Sequence, residues 1–225
     1  MLNEKGESPM PRNKYPEETV KKILDTSLRL FLEKGYDQTT VLDIVDNLGG
    51  LTRGAFYHHF KTKEDVFLAI FSRDGTERDT FNKVMQASFK NGQERLKYML
   101  KLALQSNIST EQSTAVTGLA LSMLSNPRFL AEHIKANQED AAQIAIILEE
   151  GMADGSIKQG NPRVIADLFL MLVNIWMNPS IFPCSKEDSR DKMEIIMQIF
   201  EALGYDFIDE ELSSLYREVF EVFDI

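Results

Sequence analysis

Apolar residues recur along most of the chain at helical spacing. Val20, Leu24, Leu28, Phe31 and Leu32, with Ser27, mark one face of a first helix that ends at Gly35. Val41, Ile44, Val45 and Leu48 give a short second helix its inner face, with Thr40 as N-cap and Asp43 reaching back from the third helical position. A glycine turn, Gly49-Gly50-Leu51, leads into a short third helix opening at Thr52-Arg53. A long fourth helix is expected from Lys63 to about Met85, and further helices over 93–106, 114–124, 127–151, 162–177, 186–203 and 210–223. Asn126-Pro127, the stretch 151–162 and the stretch 178–183 break the pattern. No alternating run of strand length and no repeat interrupts it. The chain therefore reads as all-α. Helices as short as the second and third do not hold alone in water, so they must be packed into something.

The most apolar run, Val164 to Met177, is too short to span a bilayer and contains Asp167 and Asn174. It is expected as a helix buried on nearly all sides. The helix that follows shows Met193, Ile196, Met197, Phe200 and Leu203 on one face. With 225 residues, 43% hydrophobic content and mean hydropathy of -0.24, the composition is that of a soluble globular protein. Its single cysteine, Cys184, rules out an intramolecular disulfide and fits a cytoplasmic setting. Met1 to Arg12 is polar, contains Pro9 and Pro11, and lacks the apolar stretch of a signal peptide, so it reads as a tail.

A net charge of -10 argues at first sight against a nucleic-acid partner. Its distribution softens that. Residues 1–65 hold ten bases and eleven acids, whereas the remaining 160 residues hold 15 bases against 24 acids. The acidity sits mainly in the C-terminal part. No Gly-x-Ser-x-Gly elbow, phosphate-cradling glycine loop, His-Glu-x-x-His or cysteine cluster is present, so nothing points to an enzyme or a cofactor.

Short helix, glycine turn, short helix and capped following helix, over 39–67, is the layout of a helix-turn-helix DNA reader. Phe31-x-x-Lys34-Gly35-Tyr36, Thr39-Thr40, Ile44 and above all the run Thr52-Arg53-Gly54-Ala55-Phe56-Tyr57-His58-His59-Phe60-Lys61-Thr62-Lys63-Glu64 resemble the tetracycline-repressor (TetR) family of bacterial regulators. The motif covers roughly the first quarter of the chain. The resemblance implies a tail at 1–13, a three-helix DNA-binding domain over 14–62 and a helical ligand-binding and dimerisation domain over 63–225. It implies a ligand-responsive regulator, most often a repressor, that binds a palindromic operator as a homodimer and is released by a small, partly apolar effector. The family turn usually has one glycine; here Gly49-Gly50 makes it one residue longer.

The residues carry their own chemistry. Thr52 is a helix N-cap, and an outward cap hydroxyl can also reach a phosphate. Arg53 on the first turn suits guanine's major-groove acceptors, with an ordinary solvated arginine as the alternative. Gly54 costs about 1 kcal/mol of helix propensity relative to alanine, which makes sense where a side chain would block approach to DNA. Ala55 offers a methyl to thymine, a weaker signal. Phe56 and Phe60 suit the core, Tyr57 can meet a phosphate while its ring packs, and His58 is the next outward candidate. His58-His59 cannot share a metal ion because adjacent helical side chains diverge; His59 reads as a hydrogen-bonded packing residue. If Thr62 caps the fourth helix, Lys63 opposes the dipole in its first turn, and an external phosphate or its acidic neighbours would explain it. Thr40 and the amides opening the second helix form a similar phosphate seat. By resemblance, two late helices pair with their copies in a partner. Trp176 is the candidate to line the effector cavity, with plain core as the alternative. A helical dimer that binds ligand or protein without reading DNA remains the competing class.

Overall fold

The computed structural model describes residues 16–71 and 76–222, leaving aside the side chains of 16, 76–80 and 220. The expected tail at 1–13 lies outside these residues. Among those described there is no strand, and no helix is long and apolar enough to cross a membrane. The chain divides into two compact units between Ser72 and Arg73.

In the first unit, α1 (Pro16–Lys34), α2 (Val41–Asp46), α3 (Arg53–His59) and α4 (Lys63–Phe71) share one core. Ile23, Ile44, Leu48, Phe56 and Val66 are fully buried there. Burial of such side chains contributes roughly 1.5–3 kcal/mol each, which is what lets α2 and α3 persist at two turns. Gly35 ends α1 at φ 86°, a backbone that favours glycine. Thr39 is buried with its hydroxyl donating to the carbonyls of Leu30 and Gly35, at 3.2 and 2.8 Å. Around the turn after α1, the Tyr36 ring lies 5.1 Å from both Phe31 and Phe67. Helix α4 thus packs with the reader, although the sequence placed its start in the second domain. Of the helix expected from Lys63 to about Met85, the described residues show α4 and α5 (Thr76–Gln86), and the stretch 72–75 lies outside the described residues.

The second unit is built on α6 (Gly92–Ile108), α7 (Glu111–Ser122), α8 (Pro127–Asp154), α9 (Pro162–Leu170), α10 (Lys186–Leu203) and α11 (Glu210–Val222), with α5 beside them. Leu96, Leu100 and Leu104 recur every fourth residue on α6 and meet Ile144 and Leu148 of α8 in the core. Phe169 of α9 lies 5.7 Å from Phe200 of α10 and 5.6 Å from Phe207, edge to face. Helices α6 and α8 touch backbone to backbone: a Cβ added at Gly92 would fall 2.3 Å from the Gly151 nitrogen. The amide of Gly92 donates to Asp154 and that of Gln93 to the Ser156 hydroxyl, at 2.7 and 3.1 Å, so the turn after α8 caps α6.

Two expectations for the apolar run after Pro162 need correction. It is not one α-helix: from Met171 to Trp176 the backbone widens into a π-helical turn, where Asn174 donates to Asn137 of α8 at 2.9 Å. Nor is it buried on nearly all sides. Val164, Leu168 and Met171 are 59%, 38% and 51% exposed and lie on one stripe, because their spacing of four and three residues follows the helical turn. The excess apolar surface faces outward. Of the face expected on α10, Met193, Ile196 and Phe200 are buried and Leu203 is exposed.

Candidate nucleic-acid interface

The first unit presents α3 at its surface. Phe56 and Phe60 turn inward, their ring centroids 6.2 Å apart, and fix which side of the helix faces out. Thr52, Arg53, Gly54, Tyr57 and His58 are exposed, and Ala55 is half-buried. These positions follow from the helical period once the two phenylalanines are anchored. Thr52 is the N-cap, its hydroxyl accepting from the Ala55 amide at 3.2 Å. Gly54 has neither a positive φ nor a crowded neighbour; an added Cβ would meet only the Thr52 hydroxyl, at 3.7 Å. Nothing inside the unit requires glycine at 54. The Tyr57 ring stands edge-on to Phe56 at 5.4 Å, and the residue is 52% exposed.

The lengthened turn is absorbed by its glycines. Gly49 and Gly50 take φ of 57° and 97°, both left-handed, and lead from α2 to the Thr52 cap. Helix α2 ends at Asp46, and Leu48 stays buried within the turn.

At the opening of α2, the Asp43 amide donates to the Thr40 hydroxyl at 3.1 Å and the Thr40 amide to the Asp43 carboxylate at 2.9 Å. The Lys34 ammonium reaches the other carboxylate oxygen at 2.8 Å. That ammonium, together with Thr40, holds the Asp43 carboxyl well below the usual carboxylate range. Thr40 is exposed, but its amide and that of Asp43 are used by the cap, leaving those of Val41 and Leu42 in the first turn outside it.

Helix α4 is capped by Thr62 as expected, through reciprocal bonds with Asp65 at 3.1 and 3.0 Å. Lys63 follows in the first turn. Its ammonium donates to the Tyr36 carbonyl at 2.6 Å and lies 3.5 Å from that of Asp37, over the Tyr36 ring at 4.1 Å. An internal partner therefore accounts for this cation in part. An ammonium carries three donors, so one proton remains beyond those two carbonyls.

The His58 and His59 rings meet edge to face at 5.0 Å. Burial, and then the neighbouring His58, lowers the His59 pKa. Its Nε2 is buried and, among the described residues, has no hydrogen-bond partner, so His59 packs without the bond expected there. Among those residues no group of three or more His, Cys, Asp or Glu is placed to hold a metal ion.

In the second unit Trp176 is half-buried at the end of the π-helical turn and lines a pocket of about 500 Å³ with Phe182, Asp188 and Lys192. Of these only Trp176 was singled out from the sequence. The spacing of 188, 192 and 195 on one face of α10 was the available signal for Asp188 and Lys192; nothing local marked Phe182.

Residues 23–70 match the family model described as Bacterial regulatory proteins, tetR family. Over 153 residues the chain is 29% identical to the HTH-type transcriptional repressor KstR2 of Rhodococcus jostii, covering 66% of this chain and 72% of that one. Over 58 residues it is 43% identical to an HTH-type transcriptional repressor of Mycobacterium tuberculosis, covering 26% of this chain and 30% of the relative. The match spans about a third of the length of that protein and of a Shigella flexneri regulator, AcrR. Among solved structures, the transcriptional regulator FadR from Bacillus subtilis in complex with stearoyl-CoA aligns with a TM-score of 0.55 at 20% identity, over 90% of this chain and 96% of that one. That likeness is one of fold.

Proposed function

We propose, for a chain that belongs to the tetR family of bacterial regulatory proteins, that it is a cytoplasmic transcriptional regulator that grips duplex DNA with α3 and releases it when a small molecule binds the second unit. The observation that carries this reading is the outer face of α3. There Thr52, Arg53, Tyr57 and His58 are exposed beside a glycine with no internal reason to be one. Arg53 reads a guanine edge, Gly54 and Ala55 let the helix sit deep in the major groove, and Thr52, Tyr57 and His58 reach its walls. Thr40 and the remaining Lys63 proton hold phosphates on either side.

Each chain has a single reader, so an inverted repeat calls for two copies. The stripe Val164, Leu168 and Met171, with Leu203 exposed at the far end of α10, supports pairing of α9 and α10 with their copies in a homodimer. The pocket beside Trp176 supports an effector with an apolar body. An effector preferring the DNA-incompetent state a hundredfold supplies about 2.7 kcal/mol of coupling, which weakens the DNA complex by up to that factor. The outcome is most simply repression relieved by ligand.

The test is selection of binding sites by the purified protein from random duplexes, with sedimentation of the complexes. An inverted repeat with half-sites about 34–36 Å apart or somewhat more, and two chains per site, is expected. Failure to retain any duplex above background at low salt would leave the other reading, a helical dimer that binds ligand or protein. The net charge of -10 favours that reading.

A further inference from the structure

Helix α10 turns an unusual face toward the end of the π-helical turn. Asp188, Asp191, Lys192 and Ile195 are spaced three, four and seven residues from the first, so they share one side of the helix. Opposite them stand the Trp176 indole and the Phe182 ring, and together they bound the pocket of about 500 Å³. Lys192 is committed to the walls: its ammonium donates to the carbonyls of Trp176 and Phe182, at 3.1 and 3.3 Å. It also lies 5.5 Å from the centroid of the indole and 6.0 Å from that of the phenyl ring. Two acidic residues and two aromatic rings thus line one pocket, with a tethered ammonium near both rings.

We propose that this pocket binds a small organic cation, an ammonium carried on a flat apolar body, with its charge beside Asp188 and Asp191 and its body against Trp176 and Phe182. Aromatic faces and carboxylates both attract an ammonium, and an indole is the strongest such face among side chains. The Ser185 hydroxyl and amide bind Asp188 and lower its pKa, so its charge persists in neutral solution. An anion would meet two carboxylates to reach one lysine already bonded to the backbone. A neutral ligand would use the rings and leave the excess negative charge unanswered. The binding stands by itself; only its effect on DNA rests on the effector reading above.

Trp176 is the chain's single tryptophan, so its emission reads this pocket directly. The full-length protein is titrated with benzyltrimethylammonium, with its uncharged isostere neopentylbenzene, and with benzenesulfonate, at constant ionic strength. A saturable change with the cation, at least fivefold weaker with the isostere and absent with the sulfonate, is expected. Asp191→Asn, at an exposed position outside the helix cap, should weaken the cation about threefold, within the range of exposed charge pairs. Equal affinity for cation and isostere, or an Asp191→Asn variant that binds the cation as well as the parent, overturns the proposal. Fluorescence anisotropy of a labelled selected duplex runs in parallel. Cation binding that leaves the duplex bound supports this site and removes it as the effector site. A duplex bound by a protein that ignores the cation refutes the site and leaves the regulator standing.

Discussion

The Lys63 ammonium donates to the main-chain carbonyl of Tyr36 at 2.6 Å while lying 4.1 Å from the centroid of that same residue's ring. One side chain is thus held at both ends of another residue. Tyr36 packs on Phe31 and Phe67, so the latch ties the first turn of α4 to the turn after α1 through the aromatic core. A displacement of α4 would therefore carry the reader with it.

Lys63 and Arg53 should separate in their effects. Lys63→Ala should weaken all duplexes alike and reduce the salt slope by about one unit. It should also lower stability by about 1 kcal/mol through loss of the bond to Tyr36. Arg53→Ala, at an exposed position, should leave stability unchanged and relax preference at one base pair, by roughly 1–3 kcal/mol on the best site. Binding at several salt concentrations together with urea melts checks both. A stability loss with an untouched salt slope would make Lys63 a latch only.

Gly54→Ala should split stability from function. The new methyl meets nothing closer than 3.7 Å, and alanine favours a helix interior, so the variant should gain roughly 0.5–1 kcal/mol in urea melts. The same methyl would hold α3 off the floor of the groove and weaken DNA binding. A variant that is more stable and binds as well as the parent would remove Gly54 from the interface.

Gly92 and Gly151 test the seam between α6 and α8. At Gly151 an added Cβ falls 2.5 Å from the Ile157 side chain, which can yield, so Gly151→Ala should cost about 1–3 kcal/mol. At Gly92 the obstacle is the Gly151 backbone, which cannot move without dragging a helix. Gly92→Ala should cost more than Gly151→Ala. Chemical denaturation of the two variants side by side gives the order, and a reversed order would contradict this packing.

The Asp43 carboxyl sets a pH dependence of known sign. Its ordinary pKa is 3.8 and folding lowers it, first through Lys34 and then through Thr40. A carboxyl depressed in the folded state contributes stability that is fully present above its unfolded value and is lost as pH falls through the folded one. Lys34→Ala should therefore reduce the stability lost between neutral pH and the region below about pH 4. Denaturation at pH 7 and pH 3 for parent and variant measures this. Equal losses in the two proteins would remove the pair as a source of acid sensitivity.

Legibility from sequence was uneven for physical reasons. Helices with local signals could be placed closely: Thr40, Thr52 and Thr62 each cap where a hydroxyl precedes a helical run, and Phe56 with Phe60 orients α3 by spacing alone. Apolar content alone could not say which face of α9 is covered, since Val164 and Leu168 read the same whether buried within the chain or exposed. The π-helical turn was invisible because it shifts register by packing, not by any breaker residue. The bond from Lys63 to Tyr36 joins positions 27 residues apart, beyond any local pattern. The charge of Lys63 against the α4 dipole signalled a partner, while its location required the fold.

The caps on α6 have a consequence for how the chain is made. Asp154 and Ser156 serve amides 62 and 63 residues earlier, so the first turn of α6 is synthesised before the groups that complete it. At about 5–20 residues per second, roughly 3–12 s of translation separate the two ends of that contact. Until then the Gly92 and Gln93 amides have only water. Helix α6 can form early, with Asn91 accepting from the Glu94 amide at 2.9 Å, but its first two amides wait for distant partners, and the second unit should reach its mature protection against amide exchange only after the chain has emerged past Ser156.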